Sequence, residues 1–279
     1  MKLKIRYKFL LPALVLIVAG MAILSTVSYF KAKSGLQSSI NNELAQLVDG
    51  LTANLDSWIE RNRLDIQVWS ENRSFKESLN DSFVGKAARK KANRYLAGLK
   101  ERYAFYDTLV LTDQEGTTIA SSDPESIGIN IKDRDYYQPA IQGKTFISQV
   151  LKSRRSGNPS FVIATPVTSL DKVAGIFLGV IDLTAFTKKF IAPVTISQSG
   201  YAFAYNQEGT LLAHPDADRI LSDNLKDYQY GRQMLAQAEG NLDYTLEGQK
   251  WRVSLRTVPT TGWTIAACVP HQEIFGEVY

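Results

Sequence analysis

The chain has 279 residues and a formal net charge of +4. Four basic residues and no acidic ones lie within its first eight positions, so the remaining 28 basic residues balance the 28 acidic ones. A nucleic-acid-binding domain usually carries a basic excess on its folded part, so this distribution excludes nucleic acid as the expected partner.

An uncharged apolar segment follows the basic tail, from residue 9 to residue 30. As a helix it would span about 33 Å, slightly more than the hydrocarbon thickness of a bilayer. We predict an uncleaved transmembrane helix over 9–30, with the tail 1–8 in the cytoplasm because the basic residues concentrate before the span. A cleaved signal peptide is the alternative. In a bacterium the chain would sit in the inner (cell) membrane, with its body periplasmic or extracellular.

A second pattern begins just beyond this segment, where apolar residues recur at steps of three and four. The stripe consists of Leu36, Ile40, Leu44, Leu47, Leu51, Leu55 and Trp58. No proline interrupts it, and we predict a long stalk helix over 31–80. The stripe packs either on sheets of the same chain or on the same helix of a second copy. We favour a homodimer through the membrane-near half.

An internal repeat with an offset of 93 residues indicates two copies of one module. Residues 113–120 read Asp-Gln-Glu-Gly-Thr-Thr-Ile-Ala, and residues 206–213 read Asn-Gln-Glu-Gly-Thr-Leu-Leu-Ala. Each copy follows a strand-forming run and contains a glycine suited to a positive φ, so each predicts a β-hairpin. Paired strand-like runs follow in each copy, 161–167 with 174–183 and 250–258 with 263–269.

The predicted fold class is therefore α+β. An N-terminal transmembrane helix and the long stalk helix precede two tandem antiparallel-sheet modules, over 81–190 and 191–279.

Catalytic and metal sites are not predicted, and neither is a cofactor. The two histidines, His214 and His271, are too few for a metal site, and no hydrolytic motif or glycine-rich phosphate loop occurs. The single Cys268 cannot form an intrachain disulfide. Its apolar run, 264–269, predicts a buried strand in which the thiol has a packing role.

A cluster of charged and aromatic residues at 133–137, Asp-Arg-Asp-Tyr-Tyr, is the candidate ligand pocket. The guanidinium of Arg134 matches a carboxylate through two parallel hydrogen bonds, and Tyr136 and Tyr137 would exclude water from that pairing. The alternative is a surface turn with one ordinary ion pair and tyrosines packed in the core. The residues themselves predict a site for a small anionic or zwitterionic molecule.

Together these elements resemble the double Cache (tandem PAS-like) sensor domain of bacterial methyl-accepting chemotaxis receptors and related transmembrane sensors. The resemblance covers nearly everything after the anchor. It rests on the anchored long helix and on the repeated hairpin at 114–117 and 207–210. Further matching positions are residues 134–137, Gly143, Lys144, Ser153, Gly157, Pro159, residues 165–167 and residues 179–183. The resemblance implies a ligand pocket in the membrane-distal module, which is the first copy.

Family members that bind amino acids hold the carboxylate with an arginine two residues before an aromatic pair, and the ammonium with an aspartate at the end of a later strand. The resemblance therefore implies that Arg134 binds a carboxylate. It also implies that Tyr136 and Tyr137 form a lid and that Asp182 binds an amine. For Asp182 the alternative is a cap on the following helix, 184–190.

The other positions that would surround the amine fall near Leu151 and Ser153, which cannot supply a negative charge. Tyr106, Leu151 and Ser153 are further candidates for ligand contact. An amino acid is the first expectation for the ligand, and an organic acid is the alternative.

The final run, 263–274, resembles the closing strand and the start of the exit helix of this family, so we expect the chain to be the sensory part of a longer receptor. The leading hypothesis is a chemoreceptor that senses a small metabolite and signals across the membrane. One alternative places the same sensor on a histidine kinase or a cyclic-dinucleotide enzyme. Another is an anchored adhesion module without a small ligand.

Overall fold

A computed structural model describes residues 5–275, with side chains described between residues 14 and 274. Residues 1–4 of the predicted tail and residues 276–279 of the predicted second module lie outside the described residues. The helices are α1 (Ile5–Ser70), α2 (Arg73–Ser78), α3 (Phe83–Arg102), α4 (Tyr137–Ile141), α5 (Leu183–Phe190), α6 (Gln229–Ala236) and α7 (His271–Phe275). The strands of the first sheet are β1 (Tyr106–Thr112), β2 (Thr118–Ser121), β3 (Phe146–Ile147), β4 (Leu151–Lys152), β5 (Pro159–Ser169) and β6 (Lys172–Asp182). Those of the second sheet are β7 (Thr195–Ile196), β8 (Gly200–Tyr205), β9 (Leu211–Ala213), β10 (Gly240–Leu246), β11 (Gln249–Thr257) and β12 (Thr264–Pro270).

Helix α1 combines an exposed apolar part with a part that packs on the sheets. Of the described helices, it alone is long and apolar enough to cross a membrane by length and composition. Its large apolar side chains between Leu14 and Phe30 are exposed. Further along, Leu44, Leu55 and Ile66 are buried in the main core. Packing within the chain therefore accounts for the apolar stripe from residue 44 onward, and the homodimer stays a prediction.

Helix α1 ends at Ser70, whereas the sequence predicted a stalk that reaches residue 80. The side chain of Asn72 accepts a hydrogen bond from the backbone N of Ser74 at 2.9 Å and caps the short helix α2. An asparagine that bonds its own neighbouring backbone competes with continuation of a helix, so the chain turns here.

The first sheet is antiparallel, in the order β2, β1, β6, β5, β3, with β4 paired to β5. Its two faces bury different sets of side chains, as strand alternation requires. Leu109, Phe161 and Phe177 belong to the core that also contains the buried residues of α1 and α3. On the opposite face, Val110 and Leu178 pack against the segment that connects β2 to β5. The predicted pairing of runs 161–167 and 174–183 is confirmed.

The second sheet repeats this plan in the order β10, β11, β12, β8, β7, with β9 paired to β8. Strand β11 pairs with the whole length of β12, from Trp251 opposite Pro270 to Thr257 opposite Thr264, which confirms the predicted pairing. Cys268 is a free thiol buried in β12. The predicted α+β class with two antiparallel-sheet modules is confirmed.

The two copies of the repeated turn make the same hydrogen bonds. The Oδ1 atom of Asp113 accepts a bond from the backbone N of Thr117 at 2.7 Å, and Oδ1 of Asn206 accepts one from Thr210 N at 2.8 Å. The glycine of each turn has a positive φ, +82° in the first copy and +85° in the second. These bonds explain why an acid or amide and a glycine recur at this spacing.

Polar contacts fix the position of each module along α1. Arg252 of the second sheet donates to Asn41 at 2.9 Å, whereas Gln67 donates to Thr145 of the first module at 2.8 Å. At about 1.5 Å per residue, these contacts lie about 17 Å and 56 Å beyond residue 30. The first module is therefore the one farther from the apolar segment.

Candidate functional site

A pocket lies on the face of the first sheet that is turned away from α1. It encloses about 440 Å³, including its open mouth. Strands β1, β5 and β6 form its floor, and the segment between β2 and β5 forms its walls. Its lining residues are Thr108, Val110, Thr118, Ser126, Ile129, Ile131, Arg134, Tyr136, Leu151, Ser153, Arg154, Arg155, Val162, Leu178 and Val180.

Hydrogen bonds from backbone N–H groups hold the predicted segment 133–137 at this pocket. The backbone N of Arg134 donates to Ile131 O at 2.9 Å, which closes a tight turn. The carboxylate of Asp135 accepts from the backbone N of Tyr136 at 2.9 Å and from that of Gln149 at 3.1 Å. Asp135 therefore ties the turn to the strand-forming segment opposite, and the positions of its two neighbours are fixed.

Arg134 is the cationic residue of the pocket that carries no ion pair among the described residues. Its Nη2 donates to Lys152 O at 3.3 Å, a long bond to one carbonyl. The side chain is half-buried. A guanidinium has several N–H donors, so most of those of Arg134 remain available to a carboxylate ligand.

Tyr136 closes the pocket beside this arginine. It is 4% exposed, and its ring packs in the cluster with Val110 and Leu178. Burial raises the pKa of Tyr136 to about 12, so the phenol is neutral and keeps its O–H donor at physiological pH.

A buried ionic network forms the rear of the pocket. The Arg155 guanidinium makes a close ion pair with Asp107 and a second one with Asp123 at 2.7 Å. The hydroxyls of Ser153 and Ser156 donate to Asp107 at 2.7 and 2.9 Å. Burial acts to raise the pKa of Asp107, but these hydrogen bonds and the charge of Arg155 outweigh it and hold the pKa below its usual range.

Four of the predicted ligand residues line this one pocket: Arg134, Tyr136, Leu151 and Ser153. Leu151 contributes an apolar wall from β4. The hydroxyl of Ser153 lies at the rear, where it donates to Asp107. Arg134, the predicted carboxylate-binding residue, therefore lines the same pocket as Leu151 and Ser153, the two positions where an acidic residue is lacking.

The other three predicted residues lie outside the lining. Tyr137 is behind it, where its hydroxyl donates to Gln114 O at 2.5 Å. Tyr106 faces the α1 side of the sheet and donates to Asn62 at 3.0 Å. Asp182 is the last residue of β6.

Asp182 caps helix α5, which is the alternative role that the sequence left open. Its Oδ1 accepts from the backbone N of Thr184 at 2.6 Å, and its Oδ2 accepts from Asn158 at 3.0 Å. Both carboxylate oxygens are therefore engaged within the protein. The carboxylate lies at the end of β6, beyond Val180, the last residue of that strand in the pocket lining.

Sequence reasoning missed the part that Arg155 and Asp107 play at this site. A signal was present, because Asp107 is an isolated acid inside a strand-forming run and a buried acid needs a cationic partner. The basic loop 152–155 is the natural source of that partner, but 48 positions separate the two residues and no local pattern joins them.

The second module has a smaller pocket at the equivalent face, about 270 Å³ with its mouth included. Aromatic rings fill much of this region, and Tyr230 and Tyr244 stack with ring centroids 5.1 Å apart. His214 lines the pocket, and burial together with the nearby Arg219 guanidinium lowers the pKa of its imidazole. No group of three or more His, Cys, Asp or Glu residues in the described part of the chain has a metal-binding arrangement.

Comparison with known sequences gives one family and several relatives. A family profile, dCache_1, described as a Cache domain, matches residues 32–278. The chain is 26% identical over 270 residues, 96% of its length, to methyl-accepting chemotaxis protein McpA of Bacillus subtilis (strain 168), of which the match covers 39%. The chain thus spans about two fifths of the length of the curated relatives it matches over most of its own length.

Solved structures show the same fold at low sequence identity. The ligand-binding domain of Mlp24 with asparagine has a TM-score of 0.65 and 18% identity, covering 88% of this chain and 98% of that one. The sensor domain of the V. cholerae histidine kinase DctB has a TM-score of 0.65 and 21% identity, covering 84% of this chain and 98% of that one. The fold is therefore shared with a ligand-binding domain and with the sensor domain of a histidine kinase.

Proposed function

The chain belongs to the Cache-domain family, and from this premise we propose that it is the ligand-sensing region of a bacterial chemoreceptor. It binds a small carboxylate-bearing metabolite in the pocket of its first module. The match to methyl-accepting chemotaxis proteins supports the receptor class. The solved Mlp24 domain contains asparagine, which supports a ligand as small as an amino acid.

The proposal rests mainly on Arg134, which has no anionic partner among the described residues. Its guanidinium lines the pocket, has one long bond to a carbonyl and makes no ion pair with any described residue. A carboxylate that docks there gains charge-assisted hydrogen bonds of about 1.5 to 3 kcal/mol. Tyr136 and the apolar walls exclude water, which strengthens the pairing.

We further propose how the receptor is anchored in the membrane, how it dimerises and how it signals. Helix α1 anchors the chain in the cell membrane through 9–30, and the two modules lie outside. Two copies associate through the membrane-near half of α1. Closure of the first module on its ligand displaces α1 or the closing strand β12 and carries the signal across the membrane.

A thermal-shift screen tests the binding step. The chain is purified in detergent micelles and heated with a panel of amino acids and organic acids. A ligand present at a hundredfold excess over its dissociation constant adds about 2.7 kcal/mol to the free energy of unfolding, which raises the melting temperature measurably. We expect at least one carboxylate to do so, and Arg134→Gln to abolish the shift.

The matched control is Arg73→Gln on α2, an arginine whose side chain is 92% exposed and pairs with Glu77. It changes the same charge far from the pocket, so its ligand shift should equal that of the wild type. A panel without any binder, or a full shift in Arg134→Gln, would contradict the proposal.

The same sensor on a histidine kinase is the second candidate, favoured by the likeness to the DctB sensor domain. The full-length protein decides between them. A kinase autophosphorylates from ATP in membrane vesicles, whereas a chemoreceptor alters the activity of a separate kinase when its ligand is added.

A further inference from the structure

We infer that this pocket selects oxygen-rich organic acids, which carry a carboxylate and no ammonium group, over α-amino acids. The inference rests on the proposed function and narrows the class of ligand at the same site. It follows from the charges that face the pocket and from the polar atoms there that lack a partner.

The lining is cationic. Among the described residues that form it there are three arginine side chains and no carboxylate. The remaining polar side chains are the hydroxyls of Thr108, Thr118, Ser126, Tyr136 and Ser153, and the other walls are aliphatic. An ammonium group that enters this pocket loses its water and meets no opposite charge, which is a large free-energy cost.

Two carboxylates at the rear of the pocket, Asp107 and Asp123, are already engaged. Asp107, with a side chain 3% exposed, accepts from Arg155 and from the hydroxyls of Ser153 and Ser156. Asp123 accepts from Arg155 at 2.7 Å and lies 3.8 Å from the Nζ atom of Lys100. If either carboxylate turned to an ammonium, Arg155 would lose one of its two ion pairs.

The more exposed acids are engaged as well. Asp133 forms a close ion pair with Arg154, and Asp135 accepts two backbone N–H groups. Asp182 caps α5 and also accepts from Asn158. These five aspartates, Asp107, Asp123, Asp133, Asp135 and Asp182, therefore have protein partners, whereas Arg134 forms no ion pair among the described residues.

Two buried polar atoms on lining residues lack any hydrogen-bond partner in the described part of the chain. They are the Oγ atom of Ser126 and the Nε atom of Arg155. An Nε–H group can only donate, and a hydroxyl can donate as well as accept. A second oxygen on the ligand, whether hydroxyl, keto or carboxylate, could accept a hydrogen bond from either atom, whereas an ammonium, which only donates, cannot accept from the Arg155 Nε–H group.

Matched ligand pairs test this selection, because a 2-hydroxy acid differs from its α-amino acid only in replacing the ammonium by a hydroxyl. The pairs are lactate and alanine, malate and aspartate, and 2-hydroxyisocaproate and leucine. Titration calorimetry of the chain in detergent micelles at neutral pH gives the dissociation constants. We expect the hydroxy acid to bind at least about tenfold more tightly in each pair that binds.

Tighter binding of the amino acid in those pairs would overturn the inference and leave the proposed function standing. Binding of neither member of any pair, nor of any other carboxylate, would overturn both. The two failures are therefore distinguishable.

A substitution tests whether charge is the cause. Leu151→Asp adds a carboxylate to a half-buried wall position, and Leu151→Asn adds a polar group of similar shape without charge. We expect the preference for the hydroxy acid to fall at least about tenfold in Leu151→Asp and to persist in Leu151→Asn. An equal effect of the two substitutions would contradict an electrostatic origin, and circular dichroism checks that both variants fold.

Discussion

Arg155 makes a close ion pair with Asp107 across 48 residues of sequence, and the side chain of Asp107 is only 3% exposed. Removing the arginine leaves that carboxylate charged and buried without a cation. We predict that Arg155→Gln lowers the free energy of unfolding by about 3 kcal/mol, as for a broken buried ion pair. Denaturant unfolding of the chain in micelles measures the change.

The neighbouring arginine is the control for this prediction. Arg154 also forms an ion pair, but its partner Asp133 has a side chain that is 68% exposed. Solvent screens that pair, so Arg154→Gln should leave the stability nearly unchanged. Equal losses in the two variants would show that the burial of Asp107 does not set the cost.

Gly116, at the tip of the first repeated turn, disfavours a side chain for two reasons. Its φ is +82°, and a Cβ atom there would lie 3.0 Å from the Tyr137 ring and 3.2 Å from the backbone N of Lys132. Gly128 has a similar φ of +87° but open space around it. We predict that Gly128→Ala costs about 1 kcal/mol of unfolding free energy and Gly116→Ala clearly more. Equal costs would mean that the contact with Tyr137 yields without strain.

Asp182 provides a test that separates a cap from a ligand contact. As the N-cap of α5, it should lose about 1 kcal/mol of stability in Asp182→Ala and little in Asp182→Asn, because asparagine also caps helices. The affinity for a carboxylate ligand should be unchanged in both variants. A loss of affinity without a loss of stability would restore Asp182 to the binding site.

The buried His214 makes stability depend on pH. Burial and the charge of Arg219 lower the pKa of its imidazole in the folded chain, whereas the unfolded chain binds the proton with a pKa of about 6.5. The unfolded state therefore takes up the proton first as the pH falls, and stability is lost below about pH 6.5. We predict a lower free energy of unfolding at about pH 5.5 than at about pH 7.5, with a smaller difference in His214→Gln. The same pH dependence in both proteins would exclude His214 as its source.

Local patterns in the sequence were enough to predict most of the architecture. The stripe in α1 follows the helical period, and the turns at residues 113–117 and 206–210 need an acid or amide and a glycine in fixed positions. The paired strands follow from apolar runs that turn residues separate. Each of these signals lies within a few residues, so one sequence suffices to find it.

The orientation of Tyr106 could not be predicted by strand alternation. Counting back by two from the pocket residues Val110 and Thr108 places Tyr106 on the same face. The register of β1 against β6 shifts between Tyr106 and Thr108, so one extra residue, Asp107, is inserted there. A β-bulge of this kind reverses the faces that precede it. Tyr106 therefore lies in the core on the α1 side, and nothing in the local sequence marks the bulge.

Which residues line the pocket, and which partners they bond, depends on contacts between residues far apart in the sequence. This explains the other differences between the predicted and the observed site. Asp182 is compatible with a strand-end ligand contact and with a helix cap, because both need an acid at the same position. The candidate arginine, Arg134, was predicted from its immediate neighbours, whereas the partners of Arg155 lie 48 and 32 positions away in the sequence.

Helix α1 is continuous from Ile5 to Ser70 and contacts both modules. Its contacts through Asn41 and Gln67 are separated by about 39 Å of helix. A helix with an intact hydrogen-bond ladder hardly stretches, so neither sheet can slide along it independently without breaking the contacts of one of them. Both modules are therefore attached to one uninterrupted helix, with no break in the helix between their two points of contact.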